Sequence, residues 1–187
     1  MTSSSPLLHA GPAVGFDQPF EMLVACQVRM VRTLSLLERL GAHVQQQGCD
    51  EQARNAAADV LRYFDVAAPQ HHMDEELHVL PRLRVSGHAA MAARLMADHQ
   101  VMELDWAQLR PDLQAVIDGR LGALEVPPAR ARWTQFATLY RRHLAAEERH
   151  AFPSASQGLS SPEQRAMGAE MAQRRGAPSP PVADPLL

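Results

Sequence analysis

Four stretches of this sequence set a side chain of one kind at every third or fourth position, the period of a helix with one buried face. The first stripe runs Phe20, Leu23, Gln27, Met30, Leu34, Leu37, and the second Val60, Phe64, Ala67, His71, Glu75, His78. The third runs Leu95, His99, Met102, Trp106, Leu109, Leu113, Val116, and the fourth Trp133, Phe136, Tyr140, His143, Glu147, His150. Each stripe is apolar except at one place, and there it carries Gln, His or Glu. Strand-like alternation appears nowhere, so the expected fold is all-α.

Glycines, prolines and capping residues set the helix ends. Pro19 suits the first turn of a helix that runs to about residue 47, where Gly48 breaks it. Asp50 caps a second helix reaching about residue 85, with a kink or split expected at Pro69. Ser86-Gly87 turns the chain into a third helix, 88–117, whose far end Pro111 bends. Val126-Pro127-Pro128 opens a fourth that Pro153 is expected to stop. Ser160-Ser161-Pro162-Glu163 then starts a short fifth helix to about residue 175. Residues 1–16 and 176–187 are rich in Ser, Pro and Gly and read as flexible ends around one domain, 17–175.

Short connections make the four long helices run up-down-up-down as a bundle. Gln27 and His99 lie about three turns after their helices begin; His71 and His143 lie about three turns before theirs end. The polar interruptions therefore share one layer of the bundle.

Composition narrows the function. A net charge of -3 and a pI near 6.3 give no electrostatic footprint for nucleic acid. No apolar run approaches the ~20 residues of a membrane span, and the N-terminus lacks the pattern of a secretory signal. Two cysteines, Cys26 and Cys49, are too few for a disulfide framework. A cytoplasmic protein is the expectation. Histidine is the outlier: seven of nine fall between residues 71 and 150.

Unpaired carboxylates inside a core cost several kcal/mol, and a cation removes that cost. Imidazole and carboxylate are good ligands for iron, zinc or manganese. His71/Glu75 and His143/Glu147 are i, i+4 pairs with both heads on one helix face. His99 adds a third imidazole from the facing helix. Carboxylates from opposed helices suit a di-nuclear centre, and a mononuclear one stays open. His78 and His150, seven residues after His71 and His143, either complete the site or stand at the solvent end of the bundle. Glu103, one turn after His99, is a further candidate carboxylate. His72 and Glu76 would be ligands only in a helix rotated by one residue.

At these residues the sequence resembles the hemerythrin-like, or HHE cation-binding, family. HHMDEELHVLP (71–81) and HLAAEERHAFP (143–153) each match its His-x-x-x-Glu-Glu followed by an apolar segment and proline. ADHQVMELDW is similar to its third-helix histidine segment, and ACQVRMVRTLSLLERL to its first helix, where Gln27 stands at the usual place of a histidine. The resemblance covers about residues 17 to 175. It implies a hemerythrin-like four-helix bundle with a short fifth helix and a non-haem, usually di-nuclear iron centre that meets O2, NO or peroxide, or buffers iron. Glutamine is a neutral, weaker donor than imidazole, so Gln27 implies either a more open site or one reduced to a single metal.

Three functions follow in order: a metal-dependent binding or sensing protein, a di-iron oxidase or peroxidase, and a metal-free interaction bundle. No separate acid/base pair argues for the enzyme. With no output module in the sequence, a sensed signal would pass to a separate protein partner, and apolar helix faces leave room for a homodimer.

Overall fold

Helix α1, Pro19–Gln47, begins at a proline, whose missing N–H costs nothing in a first turn. It ends at Gly48, which takes the left-handed conformation (φ 73°) and donates to the carbonyl of Val44. Asp50 then accepts from the N–H of Ala53 and caps α2, residues 51–85. Helix α3 is Ala89–Ile117, α4 covers 126–156, and α5 is Ser161–Arg174. The computed structural model describes residues 14–178, and no strand occurs among them. The ends expected to be flexible fall mostly outside the described residues.

The fold is an all-α, up-down-up-down bundle with a short fifth helix. Gln27–Gly158 is one unit and holds the core. There α3 packs against α2 and α4, while Arg141 of α4 reaches α1 through Glu38 Oε2 (2.6 Å) and Ser35 Oγ (3.2 Å). Met30, Leu34, Phe64, Met102, Leu113 and Phe136 form the apolar centre, each no more than 3% exposed. Phe64, Phe136 and Tyr140 meet edge to face with ring centroids 4.8–5.4 Å apart, a geometry favoured by their quadrupoles. Among the described residues, the smaller unit comprises 14–26 and 159–178. In it a capping box between Ser160 and Glu163 starts α5, and Arg175 lies over the ring of Phe16.

Among the described residues three π-helical turns interrupt the α-geometry: Tyr63–Ala67 and Glu75–Val79 in α2, and Glu147–Ala151 in α4. A proline follows each by two residues, at Pro69, Pro81 and Pro153. A proline inside a helix removes an N–H and crowds the carbonyl four residues back. A turn widened by one residue relieves both effects. Helix α2 therefore passes Pro69 without breaking, and α4 continues through Pro153 as Phe152–Ser156 instead of stopping there. Pro111 lies within the unbroken α3 without a widened turn.

At each widened turn one buried position falls a residue later than the even spacing places it. After Tyr63–Ala67 the buried residue is Ala68, and Ala67 is exposed. After Glu75 it is Val79, with His78 half-buried; after Glu147 it is Ala151, with His150 exposed.

Candidate metal centre

Seven polar or charged residues are buried among the described residues: Gln27, His71, Asp74, Glu75, His99, His143 and Glu147. Six of them are among the eight polar residues that interrupt the apolar stripes; the other two, His78 and His150, are not buried. Glu75 is 0% and Glu147 1% exposed, so neither carboxylate stands on the surface. Only Asp74 was not anticipated.

The six converge. Helix α2 presents His71 Nε2 3.0 Å from Glu75 Oε1, and α4 presents His143 Nε2 2.8 Å from Glu147 Oε1. From α3, His99 Nε2 reaches Glu75 Oε2 at 3.3 Å and His143 Nε2 at 3.1 Å. One donor atom each from Glu75, His99, His143 and Glu147 lies within 4.8 Å of the others. Helix α1 contributes Gln27, whose Nε2 donates to Glu147 Oε2 at 3.0 Å. Gln27 thus meets the cluster as a hydrogen-bond donor to a carboxylate.

A second layer of contacts holds the imidazoles. Glu76 Oε1 accepts from His99 Nδ1 at 2.8 Å. Asp98 Oδ2 lies 3.5 Å from His143 Nδ1, while its other oxygen accepts from Arg142 at 3.0 Å. A carboxylate behind an imidazole fixes the tautomer that aims the far nitrogen inward and raises its basicity as a ligand. His72 stacks on His99 with centroids 4.1 Å apart and planes 7° from parallel, and its Nε2 meets the Tyr140 hydroxyl at 3.3 Å. Glu76, Asp98 and His72 therefore support the centre from outside it. Their only sequence signal is adjacency: each stands next to a stripe residue.

Electrostatics set the two carboxylates apart. Burial pushes Glu75 up, but His71 and His99 outweigh it and hold the carboxyl well below its usual range. Burial, reinforced by the charge of Glu75, raises Glu147 against the weaker pull of His143 and His71. Burial opposes protonation of His99, yet Glu75 and Glu76 overcome it and raise that imidazole. Two buried carboxylates whose partners are imidazoles and one amide make a donor set suited to a divalent or trivalent cation.

Three expected candidates stay out of the cluster. His78 and His150 are carried off the buried face by the π turns that begin at Glu75 and Glu147. Glu103 is exposed and lines a surface cleft instead. None of the three belongs to the converging donors.

Comparison with known proteins accounts for this arrangement. The profile of the hemerythrin HHE cation-binding domain matches residues 18–155. The chain belongs to that family. An uncharacterized protein of Haemophilus influenzae is 29% identical over 162 residues, covering 86% of this chain and 91% of that protein. The family match spans α1 through most of α4 and so includes every converging donor. The result is a hemerythrin-like bundle with a buried His/Glu cluster whose donors suit a metal ion. No helix among the described residues is long and apolar enough to cross a membrane.

Proposed function

We propose that this hemerythrin-family chain holds a non-haem iron centre with His71, Glu75, His99, His143 and Glu147 as ligands. The observation that carries the reading is the convergence of donors from three helices within 4.8 Å in a fully buried layer. Iron is favoured over zinc or manganese by the family resemblance, and two carboxylates from opposed helices favour a di-nuclear centre. Bound there, iron would supply a coordination position for O2, NO or peroxide, and binding or sensing such a molecule in the cytoplasm is the proposed role.

The protein's own groups define that role. Glu75 stays ionised and supplies charge. Gln27 orients Glu147 and occupies the place of a stronger donor, which favours a more open site. Tyr140 and Phe64, each 3% exposed, give the layer an aromatic edge where it meets the surface cleft.

An oxidase or peroxidase reading has one observation of its own: a cleft reaches His99 from the surface. Peroxide turnover with an added reductant separates this reading from simple binding.

The deciding experiment is metal analysis of protein purified without chelator or nickel, beside a Glu75→Ala/Glu147→Ala double variant. Near two irons per chain, lost in the variant, supports the di-nuclear centre; about one supports a reduced centre. No metal in either protein, and no uptake of ferrous iron under anaerobic conditions, overturns the reading.

A further inference from the structure

A cleft of about 410 Å³ opens between α2 and α3 beside the candidate centre. Its size falls in the range of small-molecule sites and far exceeds what a diatomic needs. The walls combine three kinds of chemistry. Phe64, Trp106, Tyr140 and the stacked His72 and His99 supply aromatic surface. Met73, Met96 and Met102 add thioethers, which adapt to flat ligands and contact aromatic rings favourably. Glu76 and Glu103 give the cleft two carboxylates, while no arginine lines it.

Each feature narrows the occupant. Aromatic and thioether walls select a planar ring. Glu76 is offset by His99, but no arginine balances Glu103, so the cleft at Glu103 disfavours carboxylate or phosphate ligands and favours a positive group. Glu76 is engaged with His99, which leaves the exposed Glu103 as the main contact for a charge at the mouth. Trp106 is half-buried, and its indole N–H is committed to Asp65 at 3.0 Å, so the ring serves as surface rather than as a donor. A face of Trp is also the best aromatic partner for a cation.

We propose that this cleft binds a small aromatic cation, its ring between the thioethers and Trp106 and its positive group toward Glu103. Binding requires no metal; that the ring would then lie against His99 matters for chemistry only on the metal-centre reading above. Aromatic amines bearing a phenol ring are the simplest members of the class.

Tyramine and 4-hydroxyphenylacetate are suitable probes, because they share a phenol ring and differ in the sign of their charge. Titrations on metal-free and iron-loaded full-length chain are followed by tryptophan fluorescence and calorimetry. The chain has two tryptophans, of which Trp106 lines the cleft and Trp133 does not. Saturable binding of tyramine, about fivefold or more tighter than the anionic probe, is expected. Glu103→Lys should erase or reverse that preference, and Trp106→Phe should remove the fluorescence change while calorimetric binding persists in weakened form. Circular dichroism and metal content, both unchanged in Glu103→Lys, separate failure of the cleft from failure of the centre. Equal affinity for the two probes, absence of saturable tyramine binding, or a charge preference that survives Glu103→Lys would each overturn the proposal.

Discussion

His99 Nε2 and His143 Nε2, from α3 and α4, stand 3.1 Å apart, each with a carboxylate oxygen beside it. Two imidazole nitrogens this close cannot both carry a proton without repulsion. A shared cation turns the same geometry into ligation, and binding only the native state must stabilise that state. At free ferrous iron about a thousandfold above Kd, linkage gives roughly 4 kcal/mol, a rise in Tm on the order of 10 °C. Chelator should remove the rise. His143→Ala should abolish the response to iron, as should Glu147→Gln. The metal-free Tm of Glu147→Gln should match or exceed that of the parent, because the amide relieves a raised carboxyl beside Glu75. A Tm insensitive to iron in the parent protein would contradict the ligand assignment.

The carboxylates behind the imidazoles should matter nearly as much as the ligands. Glu76→Gln weakens the acceptor at His99 Nδ1, and Asp98→Asn does so at His143 Nδ1. Each should lower metal affinity about tenfold while leaving stoichiometry intact. Competition with a chelator of known affinity reads the change. Unaltered affinity in both variants would mean that these carboxylates only fill space or pair with arginine.

Metal-free stability should depend on pH through two stacked rings with opposite shifts. His99 binds its proton more tightly folded than unfolded, so its contribution is complete below the usual 6.5 and fades as pH rises through the raised value. His72 is pushed well below 6.5 by burial and by the neighbouring His99. Its contribution is complete above 6.5 and fades as pH falls toward the lowered value. His99→Gln should flatten the alkaline limb of a plot of urea midpoint against pH, and His72→Gln the acid limb. Limbs unmoved by either variant would show that other groups control the dependence.

The His/Glu layer was legible in the sequence because it rests on two periodic facts, side chains every 3.6 residues and helices that alternate in direction. His71/Glu75, His143/Glu147, His99 and Gln27 follow from those facts alone. The same periodicity misplaced Ala67, His78 and His150, each inside a π turn that delays one buried position by a residue. The prolines at 69, 81 and 153 were visible, but a proline signals only that the ladder must adjust, not whether the helix breaks, kinks or widens. Glu76, Asp98 and His72 escaped for another reason. They act through neighbours on other helices, and spacing along one helix carries no trace of such contacts.

Gln27 offers the sharpest test of how the centre is built. Its amide nitrogen donates to Glu147 Oε2 at 3.0 Å from a position 5% exposed. Gln27→Ala would remove that donor and leave a buried carboxylate oxygen without it, at a cost of about 1–3 kcal/mol. Gln27→His would instead bring a fourth imidazole to the layer, at the place where the family usually has one. If glutamine only orients Glu147, the histidine variant should bind iron more tightly, and a one-metal centre should become a two-metal centre. The alanine variant should lose both stability and affinity. Metal analysis and a chelator competition across the three proteins read the outcome. Parent and histidine variant with equal affinity and equal stoichiometry would show that the amide already satisfies the site, and that its openness has another source.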